Sequence, residues 1–230
     1  EVILSLLDTI TITSEKDNSN EILKTLSESN LFSDVRVNFK DNKYLITIKE
    51  YPNINNIKFR NNKRLKDEDL ELLVKQSNFN IYNSLSLNNF MNNIRELYSS
   101  FGYNNVKIEF TKKIDPQTNT IDLEFDISEG SITKINNIII EGNESILAQE
   151  IKDIIISKTK SIRNIFANNN YKPANIDRDE FIISNYYRNN GFVDVSVKST
   201  VEYIKSNKVN IYFKITEGNV YKLSSIDIVD

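Results

Sequence analysis

The sequence predicts an α+β fold built from tandem modules, each with the order strand, helix, helix, strand, strand. The stretches "NLFSDVRV", "FGYNNVKI" and "NGFVDVSV" recur along the chain, each after a helical pattern and before a second alternating strand. All five glycines also lie at the ends of predicted elements. Internal repetition of this kind is typical of an array of similar modules.

Composition limits the classes of function. The 230 residues include 29 basic and 32 acidic side chains, a net charge of −3. A nucleic-acid-binding surface normally needs an excess of positive charge, so we expect no nucleic-acid partner. A hydrophobic content of 39% is sufficient for buried cores. The sequence contains no apolar run of about 18 residues and no basic-then-apolar leader from Glu1 onward.

Two absences argue against catalysis. The chain has no cysteine and no histidine. Their absence excludes the Ser-His-Asp and Cys-His catalytic arrangements and every usual zinc, copper or haem ligand set except carboxylates alone. We therefore predict no catalytic residue, no metal site and no cofactor, and we interpret the protein as a binding module rather than an enzyme.

The repeated stretches predict three half-buried strands. When Phe32, Tyr103 and Phe192 are aligned, apolar residues follow at alternate positions, as a strand with one buried face requires. The predicted strands span 32–39, 103–111 and 192–200. A second strand follows in each unit, at 44–50, 121–130 and 209–218, and closes a hairpin.

Helical periodicity precedes each hairpin. In the second unit, apolar residues from Leu87 to Phe101 recur at spacings of three and four. In the third unit we predict a helix from about Asp179 to Asn190, with Asp177 and Glu180 as a capping box. Shorter helices are predicted at about 67–75 and 145–157.

A first strand opens the later units. The segment 54–62 matches 135–143 at an offset of 81, and 130–140 matches 218–228 at an offset of 88. We therefore predict a first domain at 1–51 that lacks its first strand, domains at 52–130 and 131–218, and the first strand of a fourth at 219–230. This organisation indicates a piece of a longer array.

Short linkers join the units. We predict that any bending occurs at four residues, Tyr51, Pro52, Gly130 and Gly218. The first unit has Leu31 where the others have glycine after the second helix. We therefore expect Asn30 to adopt the left-handed conformation one residue earlier.

This order of elements, with "GF.DV.V" after the second helix and "I.EG" closing the last strand, resembles the POTRA domain over essentially the whole chain. The resemblance implies a three-stranded mixed sheet in each module, covered on one face by two helices. POTRA arrays are the periplasmic arms of Omp85-type outer-membrane proteins. Three and a fraction units look most like the five-domain arm of outer-membrane protein assembly factors, so a signal peptide and a membrane barrel would lie outside this sequence.

The same resemblance implies partners and a mode of binding. The partners would be unfolded outer-membrane β-barrel proteins and accessory assembly lipoproteins, and the chain would meet the membrane only through that barrel. In this family the strand after the second helix lies at the sheet edge, where another extended chain can add itself. The candidate residues are Phe32, Val35 and Val37 in the first unit, Tyr103, Val106, Lys107 and Ile108 in the second, and Phe192, Val193, Asp194, Val195, Ser196, Val197 and Lys198 in the third.

Other interpretations remain open at this point. Charged residues such as Lys107, Glu109, Asp194 and Lys198 could instead prevent unwanted pairing at these edges. The array could belong to a TamA-like or two-partner secretion transporter. An RNA-binding α+β module would need a GXXG loop and a basic face, and the sequence shows neither. A carboxylate-based enzyme is the third alternative.

Overall fold

The computed structural model describes residues 2–8, 17–160 and 166–222. We call residues 1–51, 52–130 and 131–218 the first, second and third repeats. The first contains α1 (Val2–Leu7), α2 (Ser19–Glu28), β1 (Phe32–Lys40) and β2 (Lys43–Glu50). The second contains β3 (Asn53–Arg60), α3 (Asp67–Gln76), α4 (Ser84–Ser99), β4 (Lys107–Asp115) and β5 (Thr120–Ser128). The third contains β6 (Lys134–Glu141), α5 (Ala148–Ile154), α6 (Pro173–Asn189), β7 (Ser196–Ile204) and β8 (Lys208–Thr216).

The chain divides into two compact units, one formed by residues 1–94 and 108–128 and the other by 95–107 and 129–230. The first unit holds an antiparallel β1–β2 sheet and a three-stranded sheet in the order β3-β5-β4. Strands β3 and β5 run parallel. Because β5 alternates four buried residues with more exposed ones, it suits the central position of a sheet with one covered face.

Aromatic and aliphatic side chains form the cores of the first unit. Phe90 of α4 stacks on Phe79, with ring centroids 4.5 Å apart, and meets Phe125 of β5 edge-on at 5.5 Å. Beside the β1–β2 sheet, Ile22 and Leu26 of α2 lie one helical turn apart and are fully buried. The helical spacing predicted from the sequence therefore corresponds to the buried faces of these helices.

The second unit repeats the three-stranded arrangement in the order β6-β8-β7. Strand β8 pairs parallel with β6 and antiparallel with β7, which makes the sheet mixed. Its alternate residues Val209, Ile211, Phe213 and Ile215 are buried against the helices. The predicted fold class is confirmed: an α+β chain with two three-stranded mixed sheets, each accompanied by two helices.

Two details of the third repeat differ from the prediction. Helix α6 begins at Pro173 rather than near Asp179, because proline at the first helical position needs no amide partner and already has a helical φ. The predicted capping box of Asp177 and Glu180 was therefore wrong. Elsewhere Asn30 has a φ of 58°, which confirms the predicted left-handed cap.

Most of the predicted fourth strand, residues 223–230, lies outside the described residues. In the described beginning of that predicted strand, Val220 forms an isolated antiparallel bridge with Phe192. No helix in the described ranges is long and apolar enough to cross a membrane.

Candidate functional site

The candidate site consists of β4 and β7, each of which lies at one edge of its three-stranded sheet, opposite the edge formed by β3 or β6. In the β7–β8 ladder, Ser199 lies opposite Phe213, yet its N–H donates a hydrogen bond to the carboxylate of Glu180 on α6. The Ser199 amide therefore points away from β8. The backbone N–H and C=O groups of every second residue in a strand point to the same side. The backbone groups of three more residues therefore also face the free edge: Val197, Val201 and Tyr203.

In the third repeat the predicted site residues separate into two groups. Phe192 and Val195 are only 7% and 6% exposed and belong to the core. The strand begins at Ser196, four residues later than predicted, because the Val195 N–H turns back to the Phe192 carbonyl at 3.4 Å. The edge itself holds the other predicted residues, Ser196, Val197 and Lys198. Before it, Val193 is 56% exposed and Asp194 accepts a hydrogen bond from the Tyr221 hydroxyl at 2.7 Å.

In the second repeat, Tyr103 and Val106 also precede the strand, which begins with Lys107 and Ile108. Tyr103 and Val106 instead line an open cleft of about 250 Å³ together with Pro173 and Tyr203. The cleft lies wholly within the second compact unit. Its wall combines apolar side chains with the polar groups Arg95, Glu96, Ser99 and Asn104.

In the first repeat, Phe32 is 7% exposed and contributes to the core beside α2. Val35 and Val37 are half-buried and pack against the same cluster. Their backbones pair with Ile48 and Ile46 of β2. These side chains therefore hold β1 on the helices.

Two of the four predicted bending residues, Tyr51 and Pro52, take part in backbone hydrogen bonds. The Tyr51 N–H donates to the Leu31 carbonyl at 3.0 Å, and the Pro52 carbonyl accepts from the Tyr82 N–H at 2.9 Å. Equivalent hydrogen bonds follow the second helix of the other two repeats. The Thr133 N–H donates to the Gly102 carbonyl and the Tyr221 N–H donates to the Gly191 carbonyl, both at 2.8 Å. We call these three bonds, including that from Tyr51 to Leu31, the backbone joints. Gly130 and Gly218 have φ values of 69° and 75°. A bending role for these four residues stays a prediction.

Sequence reasoning missed a pair of tyrosine–glutamate contacts. The buried Tyr98 hydroxyl donates to Glu129 at 2.9 Å, and the buried Tyr187 hydroxyl donates to Glu217 at 3.0 Å. Glu217 also accepts from the backbone and hydroxyl of Ser145 at 2.9 and 2.6 Å. These contacts give a structural role to the glutamate of the repeated "EG" pair, which fastens the last strand to the second helix. The signal was present, since both residue types recur in the aligned repeats.

Protonation of Glu217 is expected to weaken the third repeat in acid. Burial raises the pKa of this carboxyl, but the hydrogen bonds from Ser145 and Tyr187 outweigh it and hold the pKa below the ordinary value of 4.5. A lowered folded-state pKa adds stability above the unfolded value and loses it as the pH falls. The stability difference between wild type and Glu217→Gln, measured by urea unfolding, should therefore shrink from about pH 6 to about pH 3. A difference that stays constant over this range would contradict the role of the Glu217 charge.

The fold and the edges together define a class of protein: a tandem array of β-α-α-β-β modules in which the strand after the second helix lies at one edge of each three-stranded sheet. The chain belongs to the POTRA family, whose model, described as "Surface antigen variable number repeat", matches residues 52–130 and 133–218. The resemblance predicted from the sequence is thereby confirmed.

The relatives are outer-membrane assembly factors. The chain is 28% identical over 220 residues to the outer membrane protein assembly factor BamA of Buchnera aphidicola subsp. Acyrthosiphon pisum, covering 92% of this chain and 35% of that protein. It is 24% identical over 216 residues to BamA of Neisseria meningitidis serogroup B, covering 90% and 27%. The chain thus spans between about a quarter and about a third of the length of these two relatives.

A solved structure, Haemophilus influenzae BamA POTRA3-5, has the same fold. It superposes with a TM-score of 0.50 at 14% identity and covers 86% of this chain and 80% of that one.

Proposed function

We propose that this chain is a periplasmic binding arm of an outer-membrane β-barrel assembly machine. It receives unfolded outer-membrane proteins and docks accessory lipoproteins by strand addition at its sheet edges. The relatives' shared description as outer membrane protein assembly factors supports the process. On this proposal the domains run 1–51, 52–130 and 131–218, with 219–230 opening a fourth, and Tyr51, Pro52, Gly130 and Gly218 allow limited bending.

The observation that carries the proposal is the marginal position of β4 and β7 in their sheets. An edge strand offers unpaired N–H and C=O groups that bind an extended chain through its backbone. Such bonds do not depend on one client sequence, which suits a protein that handles many different precursors. Val197 and Val201 add an apolar surface, because their side chains pack on the helix face beside the outward amides.

A proline substitution in β4 tests strand addition directly. Lys112 aligns with Val201 at an offset of 89, so its N–H is expected to face the free edge. We expect Lys112→Pro to weaken binding of a soluble peptide of alternating valine and threonine about tenfold, since it removes a donor from the edge.

The matched control is Lys112→Thr. Both variants lose the hydrogen bond from Lys112 to the Tyr82 hydroxyl, but threonine keeps the backbone N–H. Its peptide affinity should stay within about twofold of wild type. Amide shifts of the isotopically labelled chain locate the peptide. Shifts confined to the helices, or equal affinities for the two variants, would contradict strand addition at β4.

A further inference from the structure

The edge of the third repeat is already occupied at its centre. Glu180, on α6, is half-buried, and its carboxylate accepts the outward N–H of Ser199. Ser199 lies between Val197 and Val201, the neighbouring residues whose backbone groups also face outward. A strand that added to β7 in register would have to bond all three of these residues in succession.

We propose that Glu180 is a latch on this edge: a strand adds to β7 only after the carboxylate leaves the Ser199 N–H. This inference rests on the proposed function and specifies the order in which the two edges bind an extended strand, β4 before β7. An incoming strand presents a backbone carbonyl to the Ser199 N–H, and that carbonyl competes with a charged acceptor. Hydrogen bonds to charged groups are stronger than those to neutral ones, so the carboxylate is favoured.

The second repeat lacks the latch. At the offset of 89 that aligns the edge strands, Met91 stands in place of Glu180 and Phe110 in place of Ser199. The one acidic residue of α4 is Glu96, which aligns with Asn185 of α6. Met91 therefore offers no carboxylate to the outward N–H of Phe110. The β4 edge is therefore available to an extended peptide while β7 is held closed.

Hydrogen exchange of the full chain tests the latch itself. The Ser199 amide should exchange more slowly than those of Val197 and Val201, and the protection should disappear in Glu180→Ala. Glu180→Gln keeps an acceptor and should retain part of it. Asp177→Ala removes an exposed acid from the same helix and serves as the matched control. Equal exchange of Ser199 and its two neighbours in the wild type would overturn the inference.

Peptide titration tests the consequence. With the alternating valine–threonine peptide, amide shifts in the wild type should gather on β4, and Glu180→Ala should raise the affinity of β7 about tenfold. Asp177→Ala should leave it unchanged. Shifts on both edges of the wild type with no gain in Glu180→Ala would overturn the latch alone. Shifts on neither edge in any variant would overturn strand addition, and the latch with it.

Discussion

Replacing Gly142 with alanine is expected to destabilise the third repeat by about 4 kcal/mol. Gly142 follows β6 with a φ of 77°, a left-handed conformation that costs an alanine about 1–2 kcal/mol. In addition, a β-carbon there would lie 2.1 Å from the backbone carbonyl oxygen of Ile215 on the central strand. A backbone atom in a paired strand cannot rotate away, so the strands must separate.

Gly130→Ala is the matched control. Gly130 also has a positive φ, 69°, but its nearest neighbour to an added β-carbon is the Asn105 carbonyl oxygen at 3.4 Å. The control should therefore cost only about 1 kcal/mol, the conformational part of the penalty. Urea unfolding measures the stability loss of each variant, and hydrogen exchange of the β8 amides shows whether the central strand is affected. Equal losses for the two variants would show that the approach to Ile215 contributes nothing.

The second repeat shows why this glycine could not be assigned its role from the sequence. Asn61 occupies the equivalent position with a φ of 62°, and its side-chain amide donates to Asp126 at 2.9 Å. The same turn is therefore compatible with a side chain in one repeat and excludes it in the next. Only the distance to the neighbouring strand distinguishes the two positions.

The order of elements could be predicted from the sequence because it depends on local periodicity, which recurs in all three repeats. The residues at which the edge strands begin could not be predicted. Val195 continues the alternating pattern of Val197 and Val201, but a turn between Phe192 and Val195 precedes β7. A sequence pattern shows which residues are apolar, but it does not show where the backbone changes direction.

Some polar contacts of the candidate site could also be predicted from the sequence, and others could not. The tyrosine–glutamate pairs recur in aligned positions and could have been found by comparing the repeats. Glu180 has no counterpart, because Met91 replaces it in the second repeat. Its contact with Ser199 depends on how α6 lies beside β7, which no local pattern specifies.

The three recurring backbone joints connect the linkers to the site. Each joint bonds a residue of the linker to the residue that follows the second helix of the preceding repeat. In the second and third repeats that residue is the glycine five residues before the edge strand, Gly102 before β4 and Gly191 before β7. On the proposed function, a client strand would therefore add next to a linker.

The second large effect is expected at Asp179, where alanine should destabilise the third repeat by about 3 kcal/mol. The first strands of the second and third repeats align at an offset of 81 and their edge strands at 89, so the third repeat has eight more residues between them. Asp179 lies on α6, fully buried, at the position that Phe90 fills in the second repeat.

The buried carboxylate holds the start of this longer segment. It accepts the N–H of Ile156 at 2.6 Å and that of Ser157 at 3.1 Å, just after α5 ends. The Lys158 ammonium donates to the carbonyls of Lys152 and Asp153 at the end of the same helix. Burial raises the pKa of Asp179, while the hydrogen bonds from Ser157 and Ile156 oppose that shift. Removal of the carboxylate leaves two amides without acceptors and a gap beside the core.

Asp179→Asn keeps one acceptor oxygen in the same space and should lose about half as much stability. Asp177→Ala, two residues away on the exposed side of α6, should change it by no more than about 0.5 kcal/mol. Urea unfolding gives the three values, and exchange of the Ile156 and Ser157 amides shows whether the loss arises at the anchor. If those two amides remain protected in Asp179→Ala, the extra eight residues are held by other contacts. If they become exposed while β8 stays protected, the anchor organises the insertion independently of the sheet.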